Sequence, residues 1–71
     1  MISAEDKIAD VVTKFPGIEE VFKKYKIKVF GWGSLAKYHI GDVAEYKGIN
    51  LEELLKSLNE FVENSELEIN K

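Results

Sequence analysis

The chain contains no cysteine, and this absence constrains its fold more than any other feature of the sequence. Domains of roughly 60–70 residues bury only about 60% of the surface that the unfolded chain exposes, so many of them depend on disulfide bonds or structural metals. A cysteine-free chain of 71 residues must instead be held by one small hydrophobic core. The same absence excludes disulfide bonds, thiol redox chemistry and thiolate metal sites.

Apolar residues recur at helical spacing in four segments. The i, i+3, i+4, i+7 pattern predicts helices around Ile8–Phe15 and Ile18–Tyr25, a shorter helix that begins near His39, and a long helix after Asn50. One further helical turn is expected at Ser34–Tyr38. The sequence therefore predicts an all-α fold, a compact orthogonal bundle of four to five short helices.

Residues with capping preferences mark the expected helix boundaries. Asp6 is expected to cap the first helix, and Pro16 to lie in the first turn of the second, where its missing N–H costs least. Gly48 is expected to end the third helical segment. Asn50 is expected to cap the last helix, with Glu53 three residues later as in a capping box.

We predict one domain over residues 1–63 and a frayed acidic tail over residues 64–71. An alternative places part of the tail in a two-stranded ribbon. Residues 25–29 and 66–70 each alternate apolar and charged side chains, with lysines in the first segment and glutamates in the second. Isolated two-stranded pairs are marginal in water, so the all-α prediction is preferred.

The sequence also contains a weak internal echo. Ile8–Val11 resembles Ile40–Val43, and the pair Gly17-Ile18 resembles the pair Gly48-Ile49. Two copies of a helix pair would explain it, and so would the shared demands of amphipathic helices.

Charge is distributed unevenly along the chain. Residues 1–41 carry a net charge of +2 and residues 42–71 a net charge of −5. Either the two parts complement each other within one fold, or the acidic part meets a basic partner. All ten basic residues are lysines, and the lack of arginine weighs against nucleic-acid binding. With neither a membrane-spanning segment nor a signal peptide in the sequence, we expect a cytoplasmic protein without a membrane partner.

The chain's only tryptophan lies between two glycines, in a segment that breaks the helical spacing. Glycines on both sides permit a sharp turn or the close approach of a ligand. The candidate binding residues are the aromatic side chains of and around this segment: Tyr25, Phe30, Trp32, Tyr38 and His39. They are expected to form a docking patch for an unidentified protein or a pocket for a small molecule. The alternative is that Trp32 fills the core between the helices.

No pattern for catalysis or for a cofactor is present. His39 is the only histidine, whereas a metal site needs about three protein ligands. Ser34 and Ser57 lie in no nucleophile motif. We therefore expect no catalytic residues, no metal, no cofactor and no enzymatic activity.

The order and spacing of the helices resemble those of a known small domain. Ile8–Pro16 and Val21–Tyr25 resemble its first two helices, and Ile40–Ala44 and Gly48–Asn59 its last two. The family is the N-terminal domain of the ScdA-type di-iron proteins that repair iron–sulfur clusters. It also occurs as stand-alone proteins, described as a domain of unknown function or a hybrid-cluster-protein-associated disulfide domain. The resemblance covers residues 2–62 and implies a compact all-α bundle.

The chain departs from this family where the family carries its cysteines. Members commonly have a Cys-x-x-Cys-like pair around a glycine after the second helix, and here the segment reads Val29-Phe30-Gly31-Trp32. The thiol chemistry that the family suggests therefore does not carry over. A packed pair of Val29 and Trp32 is a hypothesis for what closes the loop instead. The expected function is a non-enzymatic accessory or protein-interaction domain that uses residues 30–38, or alternatively a ligand-binding module at the same loop.

Overall fold

A computed structural model describes the backbone of residues 1–69 and the side chains of residues 1–66. Four helices follow one another along this part of the chain: α1 (Ile8–Lys14), α2 (Glu19–Lys24), α3 (Ile40–Lys47) and α4 (Leu51–Ile69). Residues 1–69 contain no β-strand, so the predicted all-α fold is confirmed. The expected helical turn over residues 34–38 is not helical. It is an isolated hydrogen-bonded turn, in which the Tyr38 N–H donates to the Leu35 carbonyl over 3.1 Å.

The core consists of apolar side chains from all four helices and from the loops between them. Leu54 and Leu58 of α4 are fully buried, as are Ile8, Phe22 and Ile40 of the other three helices. Full burial of such side chains contributes about 1.5–3 kcal/mol each. The core therefore provides the stability that disulfide bonds provide in many other small domains.

The starts of α1 and α3 satisfy each other's backbone donors. The first N–H groups of a helix have no acceptor within the helix. Here Lys7 and His39, the residues just before the two helices, form an antiparallel bridge. Four N–H groups then donate across it: Ile8 to Tyr38, Ile40 to Asp6, Ala9 to Ala36, and Gly41 to Ala4, at 2.7–3.1 Å.

These four hydrogen bonds form two equivalent pairs. Each donor in α3 lies 32 positions after a donor in α1, and the acceptors show the same offset, as with donors 8 and 40 and acceptors 6 and 38. The same offset relates the sequence echo of Ile8–Val11 and Ile40–Val43. The echo therefore coincides with a structural equivalence between the two helix starts.

The predicted caps are partly right. The Asn50 Oδ1 accepts the Glu53 N–H over 3.0 Å, and Gly48 ends α3 with a φ of 68°, so both of these predictions are confirmed. Asp6 does not cap α1. Its carboxylate accepts the Ser3 N–H over 2.9 Å and closes the turn before the helix. The carbonyls of Tyr38 and Ala36 accept the first N–H groups of α1 in place of a side-chain cap.

Pro16 lies outside α2 rather than in its first turn. α2 begins at Glu19 after a turn in which the Ile18 N–H donates to the Phe15 carbonyl over 3.1 Å. Gly17 occupies this turn with a φ of 97°. A positive φ is not helical, so the helix starts only after this residue.

α2 ends in a left-handed cap like that of α3, but on a lysine. The Lys26 N–H donates to the Lys23 carbonyl and the Ile27 N–H to the Phe22 carbonyl, both over 2.9 Å. This is the hydrogen-bond pattern of a Schellman cap, and Lys26 adopts it with a φ of 61°. Glycine is the residue usually found at this position, so the cap places a strained lysine at the start of the following loop.

α4 is continuous to residue 69, and this excludes the β-ribbon. Residues 66–69 of the proposed second strand are helical, so the alternative that paired them with residues 25–29 is wrong. The backbone of residues 64–69, which we expected to fray, belongs to α4. The last two residues of the predicted tail lie outside the described part of the chain.

Candidate functional site

Residues 28–35, which we call the tip loop, form a closed loop between α2 and α3. The Leu35 N–H donates to the Lys28 carbonyl over 2.8 Å and ties the two ends together. Inside this closure the Ser34 N–H donates to the Gly31 carbonyl over 3.2 Å. Trp32 and Gly33 are thus the two central residues of a β-turn, and the φ of 78° at Gly33 is the value that a type II turn requires.

The Ser34 side chain stabilises this turn with two hydrogen bonds to the backbone. Its hydroxyl donates to the Val29 carbonyl over 2.9 Å and accepts the Ala36 N–H over 3.1 Å. One side chain therefore links the beginning of the tip loop to the segment that follows it. The loop is held in a defined shape by hydrogen bonds, without a contribution from the tryptophan.

Trp32 extends from the end of the tip loop into solvent. Its side chain is 94% exposed, so the alternative in which it fills the core is wrong. The hypothesis of a packed Val29–Trp32 pair is wrong for the same reason. The Val29 side chain is partly buried and packs against the core, while the indole of Trp32 lies in solvent. The loop is therefore closed by its hydrogen bonds and by the packing of Val29 and Leu35 against the core, and the indole takes no part.

Phe30 is the second exposed aromatic residue of the tip loop, at 61% exposure. It borders an open groove of about 420 Å³ whose floor includes Ile27 and Val29. The charged residues of this groove are Glu19, Glu20, Lys23, Lys26 and Lys28. On the other side, Trp32 shares a shallow depression with Lys37. Lysine side chains therefore flank both aromatic rings.

The positive charge around the tip loop comes from a stretch of sequence without acidic residues. Residues 21–41 contain five lysines and neither aspartate nor glutamate. A Cβ atom placed on Gly31 would lie 3.8 Å from the Lys28 Cε, so this lysine runs alongside the turn that carries Trp32. The loop thus combines two exposed aromatic rings with a local excess of positive charge.

Tyr38 belongs to a different surface. It is 45% exposed and lines a groove of about 410 Å³ with Leu35, Asp42, Val43 and Tyr46. Tyr46, at 82% exposure, extends from α3 at the same groove. Lys37 places its Nζ 5.4 Å from the centre of the Tyr38 ring, within the range of a cation–π contact.

The remaining two predicted site residues have structural contacts instead. The Tyr25 hydroxyl lies 2.9 Å from the Ser57 Oγ, which connects the end of α2 to α4. The His39 Nδ1 donates to the Glu5 carbonyl over 2.6 Å and so reinforces the bridge between Lys7 and His39. The structure therefore places Phe30 and Trp32 on the tip loop and Tyr38 on the adjoining groove. Tyr25 borders a separate depression with Tyr46, and His39 lines none of these surfaces.

One residue important to the tip loop is missed by sequence reasoning as a structural residue. A serine hydroxyl commonly bonds the backbone two residues further on, as Ser34 does with the Ala36 N–H, and this was the signal that could have found it. Tyr46 is one of the aromatic residues near the loop in the sequence, but its exposure depends on the rotation of α3, which the sequence does not fix.

The described part of the chain offers no assembled metal site. Among these residues no three acidic or histidine side chains come close enough together to hold an ion. None of the helices within residues 1–69 has the length and the apolar composition of a membrane span. No family model matches the chain, and neither a curated protein nor a solved structure matches it.

Proposed function

We propose that the chain is a small non-enzymatic accessory domain that docks onto another macromolecule through the tip loop. The observation that carries this proposal is the exposed Trp32 on a hydrogen-bonded turn. An indole kept in water loses the free energy that its burial would supply, about 1.5–3 kcal/mol for a large apolar side chain. A loop that is ordered around such a residue is suited to bury it against a partner.

The chemistry available at the tip loop supports binding rather than catalysis. Its side chains are an indole, a phenyl ring and lysine ammonium groups. The Ser34 hydroxyl is engaged by Val29 and Ala36, as a brace of the loop requires. A serine nucleophile would need a neighbouring base in the place of these two backbone groups.

Photo-crosslinking at position 32 tests this proposal. A benzophenone amino acid in place of Trp32 is expected to form adducts in the cells that produce the protein. Excess unlabelled chain should suppress them, whereas excess Trp32→Ala chain should not. The same amino acid in place of the exposed Tyr46 serves as the control for nonspecific contact. Adducts of equal yield at both positions, or none at position 32, would contradict docking through the tip loop.

A small-molecule site is the second candidate, and the groove between Tyr38 and Tyr46 favours it. Two tyrosine rings beside the apolar side chains of Leu35 and Val43 are typical of surfaces that bind flat organic molecules. NMR titration with small aromatic and heterocyclic compounds tests this candidate. Saturable shifts confined to this groove would support it, and their absence would remove it.

We also propose, as an interpretation of the sequence resemblance, that the chain is a cysteine-free relative of the ScdA-type N-terminal domain. The all-α fold agrees with what that resemblance implies. The two positions of the expected cysteines, Val29 and Trp32, are filled here by side chains without redox chemistry. The proposed accessory role therefore does not include thiol chemistry.

A further inference from the structure

We propose that the surface bound by the tip loop is an anionic lipid bilayer, with Phe30 and Trp32 in the headgroup region and the flanking lysines at the lipid phosphates. This inference rests on the proposed use of the tip loop for docking and names the surface that it meets. The expectation of no membrane partner came from the lack of a spanning segment in the sequence. A loop that enters only the headgroup region needs no such segment.

The shape of the tip loop favours a bilayer. Trp32 is almost fully exposed at the end of a projecting turn, and Phe30 is exposed two residues before it. To bury such a side chain, a protein partner must offer a matching recess, because the strong contacts of protein interfaces fill well-packed pockets. A bilayer interface is deformable and receives tryptophan without a preformed recess, which is why this residue is enriched there.

The charges around the tip loop have the sign that this surface requires. Four lysines border the two aromatic residues: Lys23, Lys26 and Lys28 beside Phe30, and Lys37 beside Trp32. Glu19 and Glu20 face the same groove and offset part of this charge. The surplus that remains is positive, and each basic residue near an anionic membrane contributes about fivefold to binding.

The kind of basic residue also separates a bilayer from a protein or nucleic-acid partner. Protein interfaces are enriched in arginine and depleted in lysine, and arginine is preferred wherever phosphates are bound by paired, planar hydrogen bonds. This chain has ten lysines and no arginine. Attraction to a charged membrane needs only a cation on a long stem, and a lysine can extend its ammonium to the phosphates while its methylene groups cover the apolar surface.

The acidic part of the chain would orient the domain. Residues 42–71 carry a net charge of −5, and Glu52, Glu53 and Glu60 are exposed on α4. An anionic surface repels this part and attracts the tip loop. One loop with two aromatic residues gives weak, reversible attachment, as with other single membrane signals.

Trp32 reports on its own insertion, because it is the only tryptophan of the chain. The full chain is mixed with vesicles of phosphatidylcholine alone, or of equal parts phosphatidylcholine and phosphatidylglycerol, at about 0.1 M salt. With the anionic vesicles, the emission of Trp32 is expected to shift to shorter wavelength and to be quenched by lipids brominated near the headgroup. Binding should weaken strongly at high salt and be at least tenfold weaker for neutral vesicles.

Variants separate insertion from simple attraction of charges. In a sedimentation assay, Trp32→Ala is expected to lower binding about tenfold or more, and Lys28→Gln or Lys37→Gln about fivefold each. Lys56→Gln removes an exposed lysine from the acidic helix α4, and this control should not weaken binding. Glu20→Gln should strengthen it.

Several results would overturn the inference. One is an unchanged Trp32 emission with anionic vesicles, even if the protein sediments with them. Another is equal binding of the Trp32→Ala chain. Adducts at position 32 to a protein alone, without vesicle binding, would overturn the bilayer as the partner and leave docking through the tip loop intact. A lack of adducts at position 32 to either protein or lipid, together with a lack of vesicle binding, would refute the docking proposal itself.

Discussion

Replacement of Ser34 by alanine is the sharpest test of how the tip loop holds its shape. The hydroxyl makes two hydrogen bonds, to the Val29 carbonyl and from the Ala36 N–H. A hydrogen bond of this kind contributes about 0.5–1.5 kcal/mol net. Both bonds are partly buried, so water can replace them in part, and we expect Ser34→Ala to lower the free energy of unfolding by about 1–2 kcal/mol.

The loss of stability in the Ser34→Ala chain should be largest in the tip loop. For a domain of this size, 1 kcal/mol corresponds to roughly 4–8 °C in melting temperature, which urea and thermal unfolding both resolve. Amide exchange then locates the effect. The Leu35 N–H, bonded to the Lys28 carbonyl over 2.8 Å, should lose more protection than the amides of the core helices.

Ser57→Ala is the matched control, because it also removes a serine hydroxyl, but at the contact between Tyr25 and α4. We expect it to cost about 0.5–1.5 kcal/mol and to leave the exchange of the Leu35 amide relative to the core unchanged. Equal effects of the two substitutions on the Leu35 amide would refute the reasoning. So would a Ser34→Ala chain whose loop amides and stability are those of the parent.

Three further predictions concern the fold. Lys26→Gly should raise the free energy of unfolding by about 0.5–1 kcal/mol in urea denaturation, since its φ of 61° strains a residue with a side chain. Trp32→Ala should change that free energy by less than about 0.5 kcal/mol, while Phe22→Ala should cost about 3–5 kcal/mol, because Trp32 is exposed and Phe22 is fully buried. Gly41→Ala would place its Cβ 3.0 Å from the Ala4 Cβ, so the resulting destabilisation should be smaller in an Ala4→Gly background, as a double-mutant cycle measures.

Each of these expectations has a clear contrary result. A less stable Lys26→Gly chain would mean that α2 does not end in a left-handed cap. A loss of several kcal/mol on Trp32→Ala would mean that the indole is packed in solution. Independent effects of the Gly41 and Ala4 substitutions would contradict the close approach of the two segments.

The helices and most of the core follow from the spacing of apolar residues. Ile8, Val11, Leu54 and Leu58, at the inner positions of the predicted stripes, are all buried. The spacing succeeds because one face of each helix has to meet a single small core. The Asn50 cap is also predictable, since it depends on a residue only three positions away.

The features that the sequence does not reveal depend on contacts between distant segments. Asp6 has the preferences of a helix cap, yet the first N–H groups of α1 bond to the carbonyls of Tyr38 and Ala36. No local rule predicts this, because the partners are about 30 positions apart. The exposure of Trp32 is similar: hydrophobicity favours burial for a tryptophan, and only the closure of the tip loop determines that the side chain points outward.

Closure of the tip loop without sulfur has a consequence for how the loop can be used. The Ser34 hydroxyl and the bond from Leu35 to Lys28 close the loop, so the side chain at position 32 has no part in the closure. A large aromatic residue can occupy this position at little cost in stability, because its side chain lies in solvent on a turn between two glycines with positive φ. Binding strength and fold stability are therefore separable at this position, so substitutions of Trp32 should alter docking while leaving the melting temperature unchanged.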